Sequence, residues 1–204
     1  DGAWKTPFSP RFSQHRQDEY TEGNAWQYTW SVMHDVHGLM GLMGGPDAFV
    51  KKLDLLFSEP SVIEGTNVSP DISGLIGQYA HGNEPSHHIA YLYAYAGAPW
   101  LAAARVKQIA TSLYTTGPEG LCGNEDCGQL SAWYLFSALG FYPVNPADGT
   151  YVLGAPLVER ATLDLGGGKT FVIQANGLSD AYQYVRGVTL NGTPLDRCWI
   201  RHDE

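Results

Sequence analysis

The stretch from residue 82 to residue 99 reads GNEPSHHIAYLYAYAGAP and shows the pattern that governs the first part of the chain. Pro85 is a favoured first-turn residue of a helix, and the apolar residues after it recur every three or four positions. Gly97 ends that helix, and Pro99 begins the next one after a short connection. We therefore predict two helices that pack as an antiparallel αα-hairpin.

The same signals predict three more helices before residue 140. Asn24 can cap the first of them, and a Gly-Gly-Pro sequence at residues 44–46 ends it. Gly140 is a natural C-terminal stop for the last helix. The predicted helices span about residues 24–43, 47–57, 85–96, 99–113 and 127–139.

Beyond residue 145 the apolar residues alternate with a period of two, which is typical of strands. Segments 161–165 and 170–174 are joined by a glycine-rich turn. Segments 187–190 and 193–195 are joined by Asn-Gly, a favoured hairpin turn. The sequence thus predicts a fold that is mainly α, followed by a β tail of short antiparallel strands.

The composition excludes some classes of partner. The chain has 204 residues and a formal net charge of −9, from 12 Lys and Arg against 21 Asp and Glu. This acidity argues against nucleic acid as a partner, because phosphate binding requires clustered positive charge. The longest uncharged apolar run, residues 89–104, is shorter than the roughly 20 residues that a membrane-spanning helix needs.

Three loops share one composition, a Gly and an Asn beside a carboxylate, just before a predicted helix. They span residues 21–24, 82–88 and 123–129. One interpretation is helix capping, because Asn, Asp and Glu are favoured at helix N-termini. The other is that the loops meet at one end of a helical barrel, in an acidic pocket flanked by Trp26 and Trp133. Carboxylates beside aromatic rings suit acid/base chemistry on a sugar, or the binding of Ca²⁺.

Two of these carboxylates differ in the role that their positions predict. A helix N-terminus favours an ionised carboxylate, which suits Asp126 as a general base. A general acid works best in a buried, apolar setting that favours its protonated form. Glu22, just before Trp26, is the better candidate for that setting, so we expect aromatic rings to enclose it.

The histidines and cysteines suggest further possibilities. His81, His87 and His88 could bind a metal, although hydrogen bonds to carboxylates or sugar hydroxyl groups suit adjacent histidines better. Cys122 and Cys127 form a pair that is compatible with buried thiols, one disulfide, or a zinc site completed by a histidine. A zinc enzyme of α/α fold is therefore a separate hypothesis.

Four motifs, in this order, resemble the C-terminal half of glycoside hydrolase family 92. They are EGNAWQY at residues 22–28, GNEPSHH at 82–88, GNEDCGQLSAWY at 123–134 and FSALGFYPV at 136–144. Members of that family are calcium-dependent, inverting exo-α-mannosidases, and they are far longer than this chain. The resemblance implies a C-terminal fragment of an enzyme that acts on mannose-containing glycans, with α-1,2 linkages and N-glycan degradation as the finer expectations.

The resemblance also implies an architecture. Residues 1–148 would be the C-terminal helical part of an (α/α)6 catalytic barrel, a partial toroid. Residues 149–204 would be a β-strand tail that packs on the barrel or on the N-terminal β-sandwich of the family. That sandwich is the expected partner, no membrane insertion is expected, and a periplasmic or secreted location is expected for the full-length protein.

The resemblance assigns roles to individual positions. Glu22 would protonate the leaving oxygen and Asp126 would activate water, with Glu125 as the rival base. The expected Ca²⁺ ligands are Asn83, Glu84 and Gln78. The expected sugar-binding residues are Trp26, Asn83, Glu84, His87, His88, Asn124 and Trp133. The alternative function is that of a non-catalytic carbohydrate-binding or truncated scaffold fragment.

Overall fold

The computed structural model describes residues 2–179 and 184–204 as a mixture of short helices and antiparallel strands. The helices are α1 (Ala25–Tyr28), α2 (Val36–Leu42), α3 (Pro46–Ser58), α4 (Leu92–Tyr95), α5 (Pro99–Ser112) and α6 (Gln129–Leu139). The strands are β1 (Leu75–Ile76), β2 (Tyr79–Ala80), β3 (Phe141–Tyr142), β4 (Thr150–Leu153), β5 (Arg160–Gly166), β6 (Lys169–Gln174), β7 (Thr189–Leu190), β8 (Thr193–Pro194) and β9 (Trp199–Arg201). The coarse prediction of helices followed by short antiparallel strands is confirmed.

Three of the predicted helices are present with small shifts at their ends. Helices α3 and α5 each begin at a proline, as expected for a residue that lacks a backbone N–H. Helix α6 begins two residues later than predicted, because residues 126–128 all have positive φ, from 47° to 91°. Gly140 ends α6 in the left-handed conformation, with φ 92°.

The prediction of one helix over residues 24–43 is wrong, because the chain forms α1 and α2 with a turn between them. Asp35 opens α2, and its carboxylate accepts a hydrogen bond from the backbone N–H of Gly38 at 2.9 Å. In the intervening turn, the carbonyl of Trp30 accepts a hydrogen bond from His88 Nε2 at 2.7 Å. A distant side chain therefore occupies an acceptor that a continuous helix would use, and sequence periodicity does not reveal such a partner.

The helix predicted over residues 85–96 is only partly α-helical. Two 3₁₀ turns, Glu84–Ser86 and Ile89–Tyr91, precede the single turn of α4. The N–H groups of His87 and Tyr91 donate to carbonyls three residues earlier, as this tighter winding requires. It leaves His87 and His88 buried, with each ring bound to a backbone carbonyl.

Within the described residues, the strands pair into four antiparallel sheets, β1-β2, β3-β4-β9, β5-β6 and β7-β8. The β5-β6 and β7-β8 pairs are the two predicted hairpins, and Asn191 and Gly192 have the positive φ values that the second turn requires. Sequence analysis placed no strand before residue 149 and so missed β1, β2 and β3, whereas β4 and β9 lie in the predicted β tail. Strands β3 and β9 pair with β4 on either side. Because β3 precedes residue 148 and β4 follows it, one sheet crosses the predicted boundary, and the division into residues 1–148 and 149–204 stays a prediction.

An aromatic core connects the helices to β3. The ring of Trp30 meets Phe49 of α3 edge-on at 5.3 Å, and Tyr91 stacks on Tyr142 of β3 at 5.0 Å between centroids. Trp30, Phe49 and Tyr91 are completely buried. None of the helices in the described ranges is long and apolar enough to cross a membrane.

Candidate active site

The first and second acidic loops meet at Glu22. Asn83 Nδ2 donates a hydrogen bond to the carbonyl of Glu22 at 2.9 Å and lies 3.5 Å from Glu22 Oε2. Glu22 has a left-handed backbone with φ 56°. A Cβ on the next residue, Gly23, would lie 2.7 Å from the ring of Tyr28, so glycine permits this sharp turn.

The second and third loops meet at Glu84 and Asp126, whose carboxyl groups lie close enough to affect each other electrostatically. Partial burial raises the pKa of Glu84, and the nearby carboxyl groups of Asp126 and Glu22 raise it further. Three loops that are far apart in sequence therefore bring three carboxyl groups together. We refer to Glu22, Glu84 and Asp126 as the acid cluster.

The surroundings of Glu22 differ from the prediction. Its side chain is exposed, so the expected aromatic enclosure is not present in this structure. Trp26 belongs to the hydrophobic core with 8% of its surface exposed, and Lys52 Nζ lies 3.9 Å from its ring centroid. The ring of Trp26 therefore packs on the protein itself, and sugar binding by this residue stays a prediction.

The two adjacent acids of the third loop have different environments. Glu125 is partly buried, and its carboxylate accepts hydrogen bonds from Ser131 N at 3.0 Å and Ser131 Oγ at 2.9 Å. These bonds satisfy the first turn of α6, which is the work of a helix cap. Asp126 is exposed and faces Glu84. The capping interpretation thus applies to Glu125, whereas Asp126 is directed at the acid cluster.

A buried histidine layer lies next to the acid cluster, and we define it as His81, His87 and His88. His81 bridges two tyrosines, with Nδ1 at 2.7 Å from Tyr79 Oη and Nε2 at 2.7 Å from Tyr114 Oη. Because Tyr114 donates its hydroxyl proton to a carbonyl, Nε2 of His81 carries the ring proton and Nδ1 accepts from Tyr79. Burial lowers the pKa of His81 to about 2, so this ring is neutral.

His87 continues this layer toward the third loop. Its Nε2 donates to the carbonyl of His81 at 2.9 Å, and its Nδ1 accepts from Gln129 Nε2 at 3.1 Å. The indole N–H of Trp133 in turn donates to the carbonyl of His87. Burial lowers the pKa of His87 to about 4 and also lowers that of His88. Sugar binding by His87, His88 and Trp133 stays a prediction, because this structure gives all three buried, structural hydrogen bonds.

Gln78, a predicted calcium ligand, is held by hydrogen bonds within the protein. Its side chain is completely buried, its Oε1 accepts from Asn24 Nδ2 at 3.2 Å, and its Nε2 donates to the carbonyls of Pro60 and Val62. The amide is therefore engaged at both ends. The role of Gln78 as a calcium ligand, which rested on its nearness to Asn83 in sequence, stays a prediction.

Sequence analysis missed two polar residues near the loops, Asp71 and Gln129. Asn124 is exposed, and its Nδ2 donates to Asp71 Oδ1 at 3.3 Å, so Asp71 anchors the third loop. Gln129 contacts His87 and lies 3.4 Å from the hydroxyl of Tyr142. Gln129 is the last residue of the GNEDCGQ motif, so the motif could have identified it as a candidate site residue. Asp71 carries no motif, and only the fold places it beside Asn124.

Of the alternatives predicted for Cys122 and Cys127, the structure agrees with unbridged thiols, although Cys122 is half-buried and Cys127 is exposed. Cys122, Cys127 and Cys198 are all free thiols, so the Cys122–Cys127 disulfide is absent. Over residues 2–179 and 184–204, no group of three or more His, Cys, Asp or Glu side chains is arranged to hold a metal ion. The zinc hypothesis therefore gains no support from the described part of the chain.

Carboxyl groups from three separate loops lie beside a layer of buried histidines, and carboxyl groups are among the side chains that acid/base catalysis uses. A comparison of the sequence with models of protein families identifies the family. The family model described as "Glycosyl hydrolase family 92 catalytic domain" matches residues 1–204. The chain belongs to glycosyl hydrolase family 92.

Solved structures agree with this assignment. The family GH92 α-mannosidase BT3965 from Bacteroides thetaiotaomicron, in complex with mannoimidazole, matches 99% of this chain at 39% identity and a TM-score of 0.91. The inverting mannosidase BT2199 from the same organism matches 99% of it at 40% identity and a TM-score of 0.83. This chain covers only 27% and 28% of those two proteins.

A curated relative gives the same picture. An uncharacterized secreted glycosidase from Arthroderma benhamiae is 30% identical over 190 residues, which is 92% of this chain and 22% of the relative. The chain thus spans about a quarter of the length of the proteins that it matches.

Proposed function

We propose that this chain carries catalytic residues of an inverting exo-α-mannosidase, with Glu22 as general acid and Asp126 as general base. The observation that supports the proposal is the acid cluster, in which carboxyl groups from three loops meet. The mannosidase activity of the family members in solved structures supports the choice of sugar. The whole protein's activity is thus inferred from family membership and from this cluster.

The reaction requires two proton transfers, one to the glycosidic oxygen and one from the attacking water molecule. The Glu22 carboxyl donates its proton to the glycosidic oxygen as the bond from that oxygen to the anomeric carbon breaks. Asp126 accepts a proton from a water molecule, whose oxygen bonds to the opposite face of the anomeric carbon. The products are a free alcohol and a mannose of inverted configuration, so atoms and charge balance.

The surroundings of the two adjacent acids favour Asp126 over Glu125 as the base. Both carboxylate oxygens of Glu125 accept bonds from Ser131 at the start of α6. Asp126 is exposed and lies near Glu84, the residue whose pKa is raised. As the pH falls, Glu84 takes up a proton above the ordinary range of a glutamate, because its pKa is raised.

Calcium is the cofactor that we propose, with Asn83 and Glu84 as ligands. Asn83 uses its amide nitrogen to bind Glu22, which leaves Oδ1 as the donor atom for a cation, and Glu84 adds carboxylate oxygens. These are the hard oxygen donors that Ca²⁺ prefers, but fewer than the roughly six to eight that it takes, so other groups must complete the site. When bound, Ca²⁺ would contact mannose hydroxyl groups and favour a distorted ring.

The finer expectations belong to the same proposal. We propose terminal α-1,2-linked mannose in glycans such as N-glycans as the substrate, and a periplasmic or secreted location for the full-length protein, as for the secreted relative. Residues 1–148 would contribute to an (α/α)6 barrel and residues 149–204 would pack against it or against a β-sandwich.

Proton NMR of the sugar released by the full-length protein tests the proposal. Early spectra should show β-mannose, because inversion of an α-mannoside forms the β-anomer first. Activity should be lost in excess EDTA and restored by Ca²⁺. Early release of α-mannose would overturn the inverting assignment, and full activity in EDTA would overturn the role of calcium.

A further inference from the structure

Three buried amide side chains, those of Asn24, Gln27 and Gln78, form a network that contains no charge. At most 2% of any of them is exposed. Asn24 Nδ2 donates to Gln78 Oε1 at 3.2 Å, and Gln27 Nε2 donates to the carbonyl of Gln78 at 2.5 Å. The backbone N–H of Asn24 donates to Gln27 Oε1 at 2.7 Å. We refer to these three residues as the amide network.

The amide network is anchored on its far side to the end of α3 and the segment that follows it. Gln78 Nε2 donates to the carbonyls of Pro60 and Val62, and the backbone N–H of Gln78 donates to the carbonyl of Leu56 at 2.7 Å. Buried hydrogen bonds of this kind hold one geometry, because a displaced amide would be left without a partner away from water. The network therefore fixes the start of α1 to a packed part of the fold.

On its near side the amide network ends two residues from Glu22. The Asn24 side chain also caps α1, and it accepts from the backbone N–H groups of Trp26 and Gln27. Glu22 itself is exposed and has an unfavourable left-handed backbone, so its own packing does not fix its direction. Its position depends on Asn83, which holds its carbonyl, and on the anchored residue Asn24.

We propose that the amide network is a positioning device that aims the Glu22 carboxyl for proton transfer, an inference that rests on the proposed function. Neutral amides suit this work because none of them titrates, so the geometry does not change over the pH range in which an acid and a base must exchange protons. A displacement of about 1 Å at a reacting group can cost about 100-fold in rate. The network is connected to Glu22 only through the two backbone steps from Glu22 to Asn24. Asn24, Gln27 and Gln78 are therefore positioning residues.

Two leaving groups distinguish positioning of the acid from general support of the fold. A poor leaving group, such as the sugar of α-mannobiose, needs protonation, whereas 2,4-dinitrophenolate departs with little help from an acid. We would measure kcat and KM for both substrates in the full-length protein. Asn24→Ser keeps a capping hydroxyl but is too short to reach Gln78, and Gln78→Met keeps the length of the side chain without its amide. Gln14→Met is the control, because Gln14 ties a different loop through Thr66 and Asn67.

We expect kcat on α-mannobiose to fall about 10- to 100-fold in Asn24→Ser and Gln78→Met, with less than about a threefold loss on the dinitrophenyl mannoside and little change in KM. Gln14→Met should retain both activities. Equal losses on both substrates would overturn the inference. If Gln78→Met does not fold, Asn24→Ser decides alone, since its cap is retained. Glu22→Gln is measured in parallel: equal losses on both substrates there would overturn the acid role of Glu22, and the inference with it.

Discussion

Residues 81–88 supply all three members of the buried histidine layer and one member of the acid cluster, yet the two groups differ in charge, exposure and hydrogen bonding. Glu84 and His87 are three residues apart, but Glu84 meets two other carboxyl groups while His87 is 2% exposed and fully engaged by neutral partners. The acid cluster gathers like charges, which is unfavourable for stability unless a cation or a substrate uses them. In the histidine layer, both ring nitrogens of His81 and of His87 are paired, and His88 Nε2 donates to a backbone carbonyl. Within one turn of the chain, the same loop therefore places Glu84 among other carboxyl groups and His87 in the packed interior.

The largest expected effect lies in the acid cluster. Asp126→Asn and Glu22→Gln should each lower kcat/KM on an unactivated mannoside about 10²- to 10⁴-fold, the range for the loss of a general base or acid. The free energy of unfolding should change by less than about 0.5 kcal/mol, because both side chains are exposed. Steady-state kinetics and urea unfolding measure the two quantities. Glu125→Gln is the matched control, and a loss there as large as in Asp126→Asn would reverse the choice of base.

The next largest effect is expected in the histidine layer, where substitution should change the free energy of unfolding. His81→Leu leaves the completely buried hydroxyl of Tyr79 without its acceptor, so the free energy of unfolding should fall by about 1–3 kcal/mol. The exposed His34→Leu serves as control and should change it by less than about 0.5 kcal/mol. Denaturant unfolding of both variants provides the test. An unchanged stability of His81→Leu with a lost activity would remove the distinction between the two regions.

The histidine layer also predicts a pH dependence of stability. Burial holds the folded-state pKa of His81 at about 2 and that of His87 at about 4, below the ordinary value of 6.5. The unfolded chain therefore binds more protons below pH 6.5, so the stability present above that pH is lost as the pH falls toward those values. Urea unfolding of the parent between pH 7 and pH 4.5 should show this decline, and His87→Gln should reduce its slope. A parent stability that rises over this interval would contradict the account.

The smallest expected effect concerns Glu84 in calcium-free solution. Its folded-state pKa is raised above the ordinary value of 4.5, so its contribution to stability is fully present below pH 4.5 and is lost as the pH rises through the raised value. Glu84→Gln should therefore be more stable than the parent at pH 7, by about 0.2–1 kcal/mol for a partly exposed charge. The exposed Glu119→Gln is the control. A less stable Glu84→Gln protein at pH 7 would mean that the acid cluster carries no repulsion.

The fold was predictable from sequence where local signals decide it. Proline starts and glycine ends gave α3, α5 and α6, and Asn191-Gly192 gave the β7-β8 hairpin. The prediction failed where a distant partner decides the backbone, as when His88 binds the carbonyl of Trp30 and interrupts the expected first helix. Periodicity cannot report such contacts, because they join residues far apart in the chain.

The same reasoning explains the candidate site. The loops that carry Glu22, Glu84 and Asp126 were predicted from their shared composition, and the structure brings them together. Exposure was not predictable, so Trp26 was expected at an open pocket and lies in the core. Gln78 was expected at a metal and lies in the amide network, since residue type alone does not tell a buried amide from a ligand.

The most direct test of the central claim is the distance between the Glu22 and Asp126 carboxyl groups in a crystal structure of the full-length protein with Ca²⁺ and an unreactive mannose analogue. An inverting pair needs room for one water molecule beside the sugar, so we predict a separation of about 6.5–9.5 Å. A separation above about 12 Å would be too wide for this geometry and would contradict the assignment of Glu22 and Asp126 as acid and base.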